Sequence, residues 1–397
     1  MMFHYRRLSF VVAALAAAIT VASSPATTAV ATPTTYPLHT SGRWILRPDG
    51  QRVKLASVNW SGAESPEFVV GGLDRATIGH IAGWIRANGF NSVRIPWSNE
   101  MYEHNPVVAD RYVRANPELK GKRALDVLDR VVDALGRAGL MVVLDNHVSR
   151  ADWCCNGKDG NGLWYTAAYP ESHWIADWRG IVTRYRNRPQ VVAAELRNEI
   201  RDAGGVSPTW GDGNPRTDWA AAAERGGNAV LAANRNLLVV VGGLNYQTDL
   251  TGAYHRPIRL KVGGRLVYAA HAYKWEYDVN HGYGPFSKQL GARWGYLVAQ
   301  GKPYTAPVWV SEFGTCITWT AGCDKADSNF SNGIQRYLRE GDIDWAYWQL
   351  NGTQSAGTGR QHGALDYYGL LNTAWTGAAN AASVARIKAL EKMTQRP

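Results

Sequence analysis

Polar and ionisable residues recur where short apolar runs end. One run closes on Val93-Arg94-Ile95-Pro96-Trp97, another on Leu144-Asp145-Asn146-His147 and a third on Leu196-Arg197-Asn198-Glu199. Farther along come His271-Ala272-Tyr273, Val310-Ser311-Glu312-Phe313-Gly314 and Tyr347-Trp348-Gln349. A single charged run end is ordinarily a solvated edge. The same ending in run after run is not explained that way, because unpaired polar groups are costly to bury. It predicts convergence on one site.

Glu199 and Glu312 suit work on a glycosidic bond. Two carboxyls about 5–5.5 Å apart allow one to attack the anomeric carbon while the other protonates the leaving oxygen and then deprotonates water, with retention of configuration. Glu312 is expected as nucleophile and Glu199 as general acid/base. Glu199 then needs a raised pKa, which ionised Glu312 beside it would supply. Arg94 is expected to hold Glu312 ionised through a charge-assisted hydrogen bond. Tyr273 is placed to hydrogen-bond the nucleophile, and Asn198 to bind the sugar hydroxyl beside the reacting carbon. His147 and His271 are expected to orient carboxylates or hydroxyls, although a satisfied structural imidazole is the plain alternative for each. Trp348 offers a stacking floor. Glu195 lies deeper in its run and, like Asp145, reads as a buried hydrogen-bonder.

Something must bring these residues together. Nearly continuous apolar runs, as expected of strands buried on both faces, cover 53–60, 90–97, 141–148, 191–199, 237–243, 266–273, 308–313 and 343–350. Helical spacing appears over 74–87, 125–135, 174–185, 220–234 and 382–393. Strand alternating with helix predicts a single (β/α)8 barrel, whose fourth and seventh strand ends face each other across the opening. The fifth and sixth units are the least regular. Residues 44–50 read as a hairpin with an Asp49-Gly50 turn that plugs the barrel floor. Long segments after the strands, at 149–173, 201–217, 274–285, 315–328 and 351–372, would build the C-terminal rim.

Arg94, His147, Asn198-Glu199, His271-x-Tyr273, Glu312 and Trp348 together resemble, in order and strand placement, the signature of glycoside hydrolase family 5. The resemblance runs from about Trp44 to the C-terminus. It implies a (β/α)8 barrel, retention, no metal or organic cofactor, and a β-linked glucoside or mannoside as substrate. The stretch 144–162, with Cys154-Cys155, is similar to plant and actinobacterial members. Ile200 stands where many cellulases of the family have Pro after Asn-Glu.

Composition narrows the class. Of 397 residues 45% are hydrophobic, and 17 Trp beside 19 Tyr and 7 Phe leave rings for both a core and a sugar cleft. The formal charge of +10 is spread without a basic run, which argues against nucleic acid. Arg6 and Arg7 before the apolar stretch 8–22 read as a signal peptide over 1–31, cleaved between 26 and 31, with a linker at 32–37 and the catalytic barrel over 38–397. A secreted monomer is expected, free of the membrane. Cys316 and Cys323 are expected to staple one loop, while Cys154 and Cys155 either pair with each other or reach elsewhere. The leading expectation is endo-hydrolysis of a β-1,4-glucan. The alternative is an exo-acting β-glucosidase, β-mannosidase or diglycosidase whose Trp275, Tyr277, Tyr283 and Tyr367 close the cleft into a pocket. A remote alternative is a non-catalytic carbohydrate-binding protein.

Overall fold

The computed structural model describes residues 1–2, 36–155, 157–316 and 323–397. The expected leader, apart from Met1 and Met2, and most of the linker lie outside the described residues. Parallel strands close into a barrel in sequence order. They are β1 (Ala56–Asn59), β2 (Ser92–Ser98), β3 (Met141–Val148), β4 (Val191–Glu195), β5 (Leu238–Gly242), β6 (Leu266–Ala272), β7 (Val308–Phe313) and β8 (Asp344–Tyr347). Closure is visible at Tyr347, which pairs with Val58 on one side and Phe313 on the other. The expected (β/α)8 barrel is present.

Both faces of these strands are apolar, and alternation decides which core each residue joins. Met141 and Val143 join Val240, Val267, Trp309 and Ala346 in the barrel interior, while Val142 and Leu144 belong to the layer beneath the helices. The interior floor is completed by Leu38, Ile45, Val53 and Leu55. Ile45 sits in a hairpin of His39–Ser41 and Trp44–Leu46, and the Asp49-Gly50 turn brings Val53 N back to donate to Ile45 O at 2.9 Å. The floor plug is therefore real, with an extra strand that was not expected.

Helices on the outside include Ile78–Ala87, Ala124–Arg137, Glu171–Arg184 and Trp219–Ala233. Thr77 and Asp218 cap two of them by accepting from backbone N–H groups three residues on. The fifth unit is irregular, as expected: β5 is followed by Leu244–Gln247, in which Asn245 and Tyr246 are left-handed, and by a 3-10 turn at Thr251–Tyr254. Two helices begin inside segments expected to be loops, Tyr283–Arg293 and Lys325–Gly341. The fourth strand is shorter than expected. It stops at Glu195, and Glu199 lies beyond it with φ 46°. On the rim, Thr358 donates its N–H and its hydroxyl to Asp152, each at 2.6 Å, tying the loop after β8 to the loop after β3. Disulfides join Cys316 to Cys323 and Cys154 to Cys155.

Candidate active site

Arg94 of β2 is fully buried and organises the rim. Its Nη1 donates to Glu312 Oε1 at 2.6 Å and to Asn59 Oδ1 at 3.0 Å. Its Nη2 donates to Asn198 Oδ1 at 2.8 Å and lies 3.2 Å from Asp145 Oδ2, and its Nε donates to Glu195. A fixed guanidinium fork can satisfy that many acceptors at once, which an ammonium cannot. Because Asn198 Oδ1 is held by Arg94, its Nδ2 must turn the other way. There, among the described residues, it meets distant partners, His147 Nε2 at 3.5 Å and the Cys154 and Cys155 sulfurs at 3.6 Å. That N–H is available to a hydroxyl in the cleft.

Glu312 also accepts from Tyr273 OH at 2.8 Å. His271 Nδ1 lies 3.0 Å from Glu199 Oε1 and 3.6 Å from Glu312 Oε2. A ring nitrogen of His271 and one oxygen of each glutamate fall within 4.8 Å of one another. Oxygens that near each other accord with the closer of the two carboxyl spacings used in glycoside hydrolysis. The same three groups could ligate a cation, but the Arg94 guanidinium on Glu312 opposes one there. His147 lines the same cleft and meets a carboxylate other than the two glutamates. Its Nδ1 partners Asp145 Oδ2 at 2.6 Å, its Nε2 lies 3.5 Å from Asn198 Nδ2, and its ring stacks on Trp348 at 5.7 Å and 9°.

Trp348, Trp153, Trp275, Tyr273, Tyr246 and Tyr368 line a cleft of about 770 Å³ that reaches both glutamates. Trp275 stacks on Tyr273 at 4.8 Å and 3° and is 63% exposed, so it stands out into the cleft mouth. The other aromatics expected to close a pocket do not do so. Tyr277 is buried, with its OH donating to His271 O, and Tyr283 OH donates to Glu340. Tyr367 is absent from the cleft lining, whose place is taken by Tyr368.

Burial pushes the carboxyls of Glu199 and Glu312 each up to about 7. For Glu199 burial, rather than a charge on Glu312, is the largest cause. Two such neighbours titrate as a pair. Glu312 has Arg94 and Tyr273 as hydrogen-bond donors, an arrangement that favours the charge on Glu312 and the proton on Glu199 in the singly protonated pair. A raised pKa makes the folded protein bind more protons than the unfolded chain between roughly pH 4.5 and 7. Stability from this source is therefore full below that window and lost as pH rises through it. Calorimetry on Glu199→Gln should find a Tm close to wild type at about pH 4 and a few degrees higher at about pH 8. A gap that does not change with pH would contradict the raised carboxyl.

Sequence reasoning missed Gln247, Ser311 and Asn59. Gln247 N–H groups reach Glu195 and Ser311, and its Oε1 accepts from Glu199 N at 2.8 Å. Only Ser311 carried a signal, as the neighbour of Glu312 at a strand end.

A closed parallel barrel with two glutamates opposed at its C-terminal rim defines the class of barrel glycoside hydrolases. The family model described as "Cellulase (glycosyl hydrolase family 5)" matches residues 48–354. An endoglucanase of Paenibacillus polymyxa is 30% identical over 364 residues, spanning 85% of this chain and 83% of that protein. The major extracellular endoglucanase of Xanthomonas campestris pv. campestris is 30% identical over 92% of this chain and 75% of its own length. A hyperthermophilic endocellulase from the archaeon Pyrococcus horikoshii superposes with a TM-score of 0.77 at 26% identity, over 91% of this chain and 100% of that one. The chain belongs to glycoside hydrolase family 5 and is a glycoside hydrolase.

Proposed function

We propose that the protein cleaves internal β-1,4 linkages of a glucan with retention, using Glu312 as nucleophile and Glu199 as acid/base. The observation that carries this reading is the grouping of Glu199, Glu312 and His271 within 4.8 Å at the floor of an aromatic cleft. In the first step a Glu312 oxygen bonds to the anomeric carbon, the bond to the leaving oxygen breaks, and the Glu199 proton goes to that oxygen. In the second, water bonds to the carbon, its proton goes to the Glu199 carboxylate, and Glu312 departs as a carboxylate. Arg94 and Tyr273 stabilise that charge before and after. Asn198 Nδ2 holds the neighbouring hydroxyl and Trp348 supports the ring. The endoglucanase names of the relatives support the glucan, and failure of Tyr277 and Tyr283 to close the cleft supports internal attack.

We propose further that the enzyme is exported, from Arg6-Arg7 and the apolar stretch after them and from the extracellular description of the Xanthomonas relative. Among the described residues no helix is long and apolar enough to cross a membrane.

Viscosity and reducing ends followed together on soluble β-1,4-glucan test the reading. A steep viscosity fall with few new ends is expected. New ends with almost constant viscosity would favour the exo-acting alternative, with the tie between Asp152 and Thr358 as the first candidate for a wall. No change in either would remove β-1,4-glucan as the substrate.

A further inference from the structure

A hydrogen-bond chain buried beneath the two candidate catalytic carboxyls ends at Glu199. It begins at Glu195, whose Oε2 accepts from Arg94 Nε and whose Oε1 accepts from Gln247 Nε2 at 2.8 Å and Ser311 Oγ at 2.9 Å. Arg94 and the Gln247 amide nitrogen can only donate, so both Glu195 oxygens act as acceptors. The orientation of the Gln247 amide is fixed from its other end, where Oε1 takes the N–H of Glu199. Reaching this position requires unusual backbone. Asn245, Tyr246 and Gln247 have φ of 49°, 57° and 62°, a run that residues with side chains hold only when their surroundings impose it.

Ser311 has one proton to give. A carboxylate takes it in preference to a neutral imidazole, because the charge-assisted bond is the stronger. Ser311 Oγ therefore turns a lone pair to His271 Nε2, 3.1 Å away. His271 is neutral: burial pushes it down to about 4 despite Glu312 and Glu195 nearby, with Arg94 and His147 acting in the same direction as burial. A neutral ring has one proton, and Ser311 draws it to Nε2. Nδ1 is then bare, and it faces Glu199 Oε1 at 3.0 Å.

We propose that Ser311 and Gln247 are positioning residues that, through Glu195, hold His271 as its Nε2–H tautomer, so that the bare Nδ1 accepts a hydrogen bond from the protonated Glu199 carboxyl and keeps Glu199 in its acid form. The opposite tautomer would donate Nδ1–H to a Glu199 carboxylate and leave no proton for the leaving oxygen. Once Glu199 has given its proton to that oxygen, its carboxylate faces a lone pair, which favours recovery of a proton from water in the second step. The significance for catalysis rests on the acid/base role proposed above for Glu199. The tautomer does not.

Nitrogen-15 NMR of the full chain labelled at histidine distinguishes a bare from a protonated ring nitrogen, with His271→Gln identifying the signals. Wild type should show Nε2 protonated. In Ser311→Ala the signals should move toward the Nδ1–H form. The alkaline limb of kcat/KM on cellooligosaccharide should shift to lower pH, with about a tenfold loss above neutrality and less than about a twofold change on an activated aryl cellobioside, which needs little acid assistance. Ser311→Thr, which keeps the hydroxyl, should restore the limb. An Nδ1–H ring in wild type overturns the proposal even if the variant does not fold. So does a Ser311→Ala enzyme that slows both substrates equally at every pH. Wild type inactive on glucan with the Nε2–H ring present would instead count against the proposed function.

Discussion

Glu312→Gln is expected to lower kcat on soluble β-1,4-glucan by a factor on the order of 10⁴ or more, because it removes the covalent route by which the reaction is divided into two easier steps. The change is nearly isosteric. The amide oxygen can still accept from Arg94 Nη1, now 2.6 Å from Glu312 Oε1, and Tyr273 OH can turn to accept from the new amide nitrogen. Arg94 keeps its contacts with Glu195 and Asp145, so its buried guanidinium is not left alone. Substrate affinity and Tm should therefore change far less than turnover. Steady-state kinetics with calorimetry on the same preparation makes the comparison. Retention of more than about a hundredth of wild-type kcat would mean that another group forms the bond, since uniform binding alone cannot hide a lost nucleophile.

The barrel and the principal pair were legible because both depend on local pattern. β3 and β7 fall where their apolar runs do, at Met141–Val148 and Val308–Phe313, since each is buried on both faces along its whole length. β4 misled because Leu196 continues the apolar run after the sheet pairing has ended at Glu195. That early exit, with Glu199 in a left-handed turn, is what brings its carboxyl to His271. Helix Lys325–Gly341 was hidden by composition. Its Ser, Asn, Asp and Gly residues have low helix propensity. It forms because Asp324 and Asp327 make a reciprocal capping box and because Phe330, Ile334 and Leu338 bury one stripe. Gln247 could not have been found from its neighbours. Its significance comes from Glu195, Glu199 and Ser311, three partners 52, 48 and 64 residues away. The same is true of Glu195, rightly read as buried and hydrogen-bonded, whose partners on β2, β7 and after β5 only the closed barrel assembles.

Glu199→Ala should separate the two chemical steps. On glucan the leaving alkoxide needs a proton, and loss of the positioned acid is expected to cost about 10²–10⁴-fold in kcat/KM. On an activated aryl cellobioside the leaving phenolate needs little help, so bond formation to Glu312 should proceed near the wild-type rate. Breakdown still needs a base to take the proton from water, and none remains. The glycosyl-enzyme should then accumulate, giving a burst of phenolate close to one equivalent of enzyme, a slow steady state and a depressed apparent KM. Folding should survive, because residue 199 keeps its N–H bond to Gln247, and Ala bears the same left-handed penalty that Glu already does. The fast phase should keep its rate across the pH range in which wild-type glucan hydrolysis falls as the Glu199 carboxyl, raised to about 7 by burial, ionises. Rapid-quench measurement of the burst across pH reads both effects together. A variant that hydrolysed glucan at the wild-type rate would show that the leaving oxygen takes its proton from elsewhere, and the roles drawn from the geometry around Glu199 would have to be reassigned.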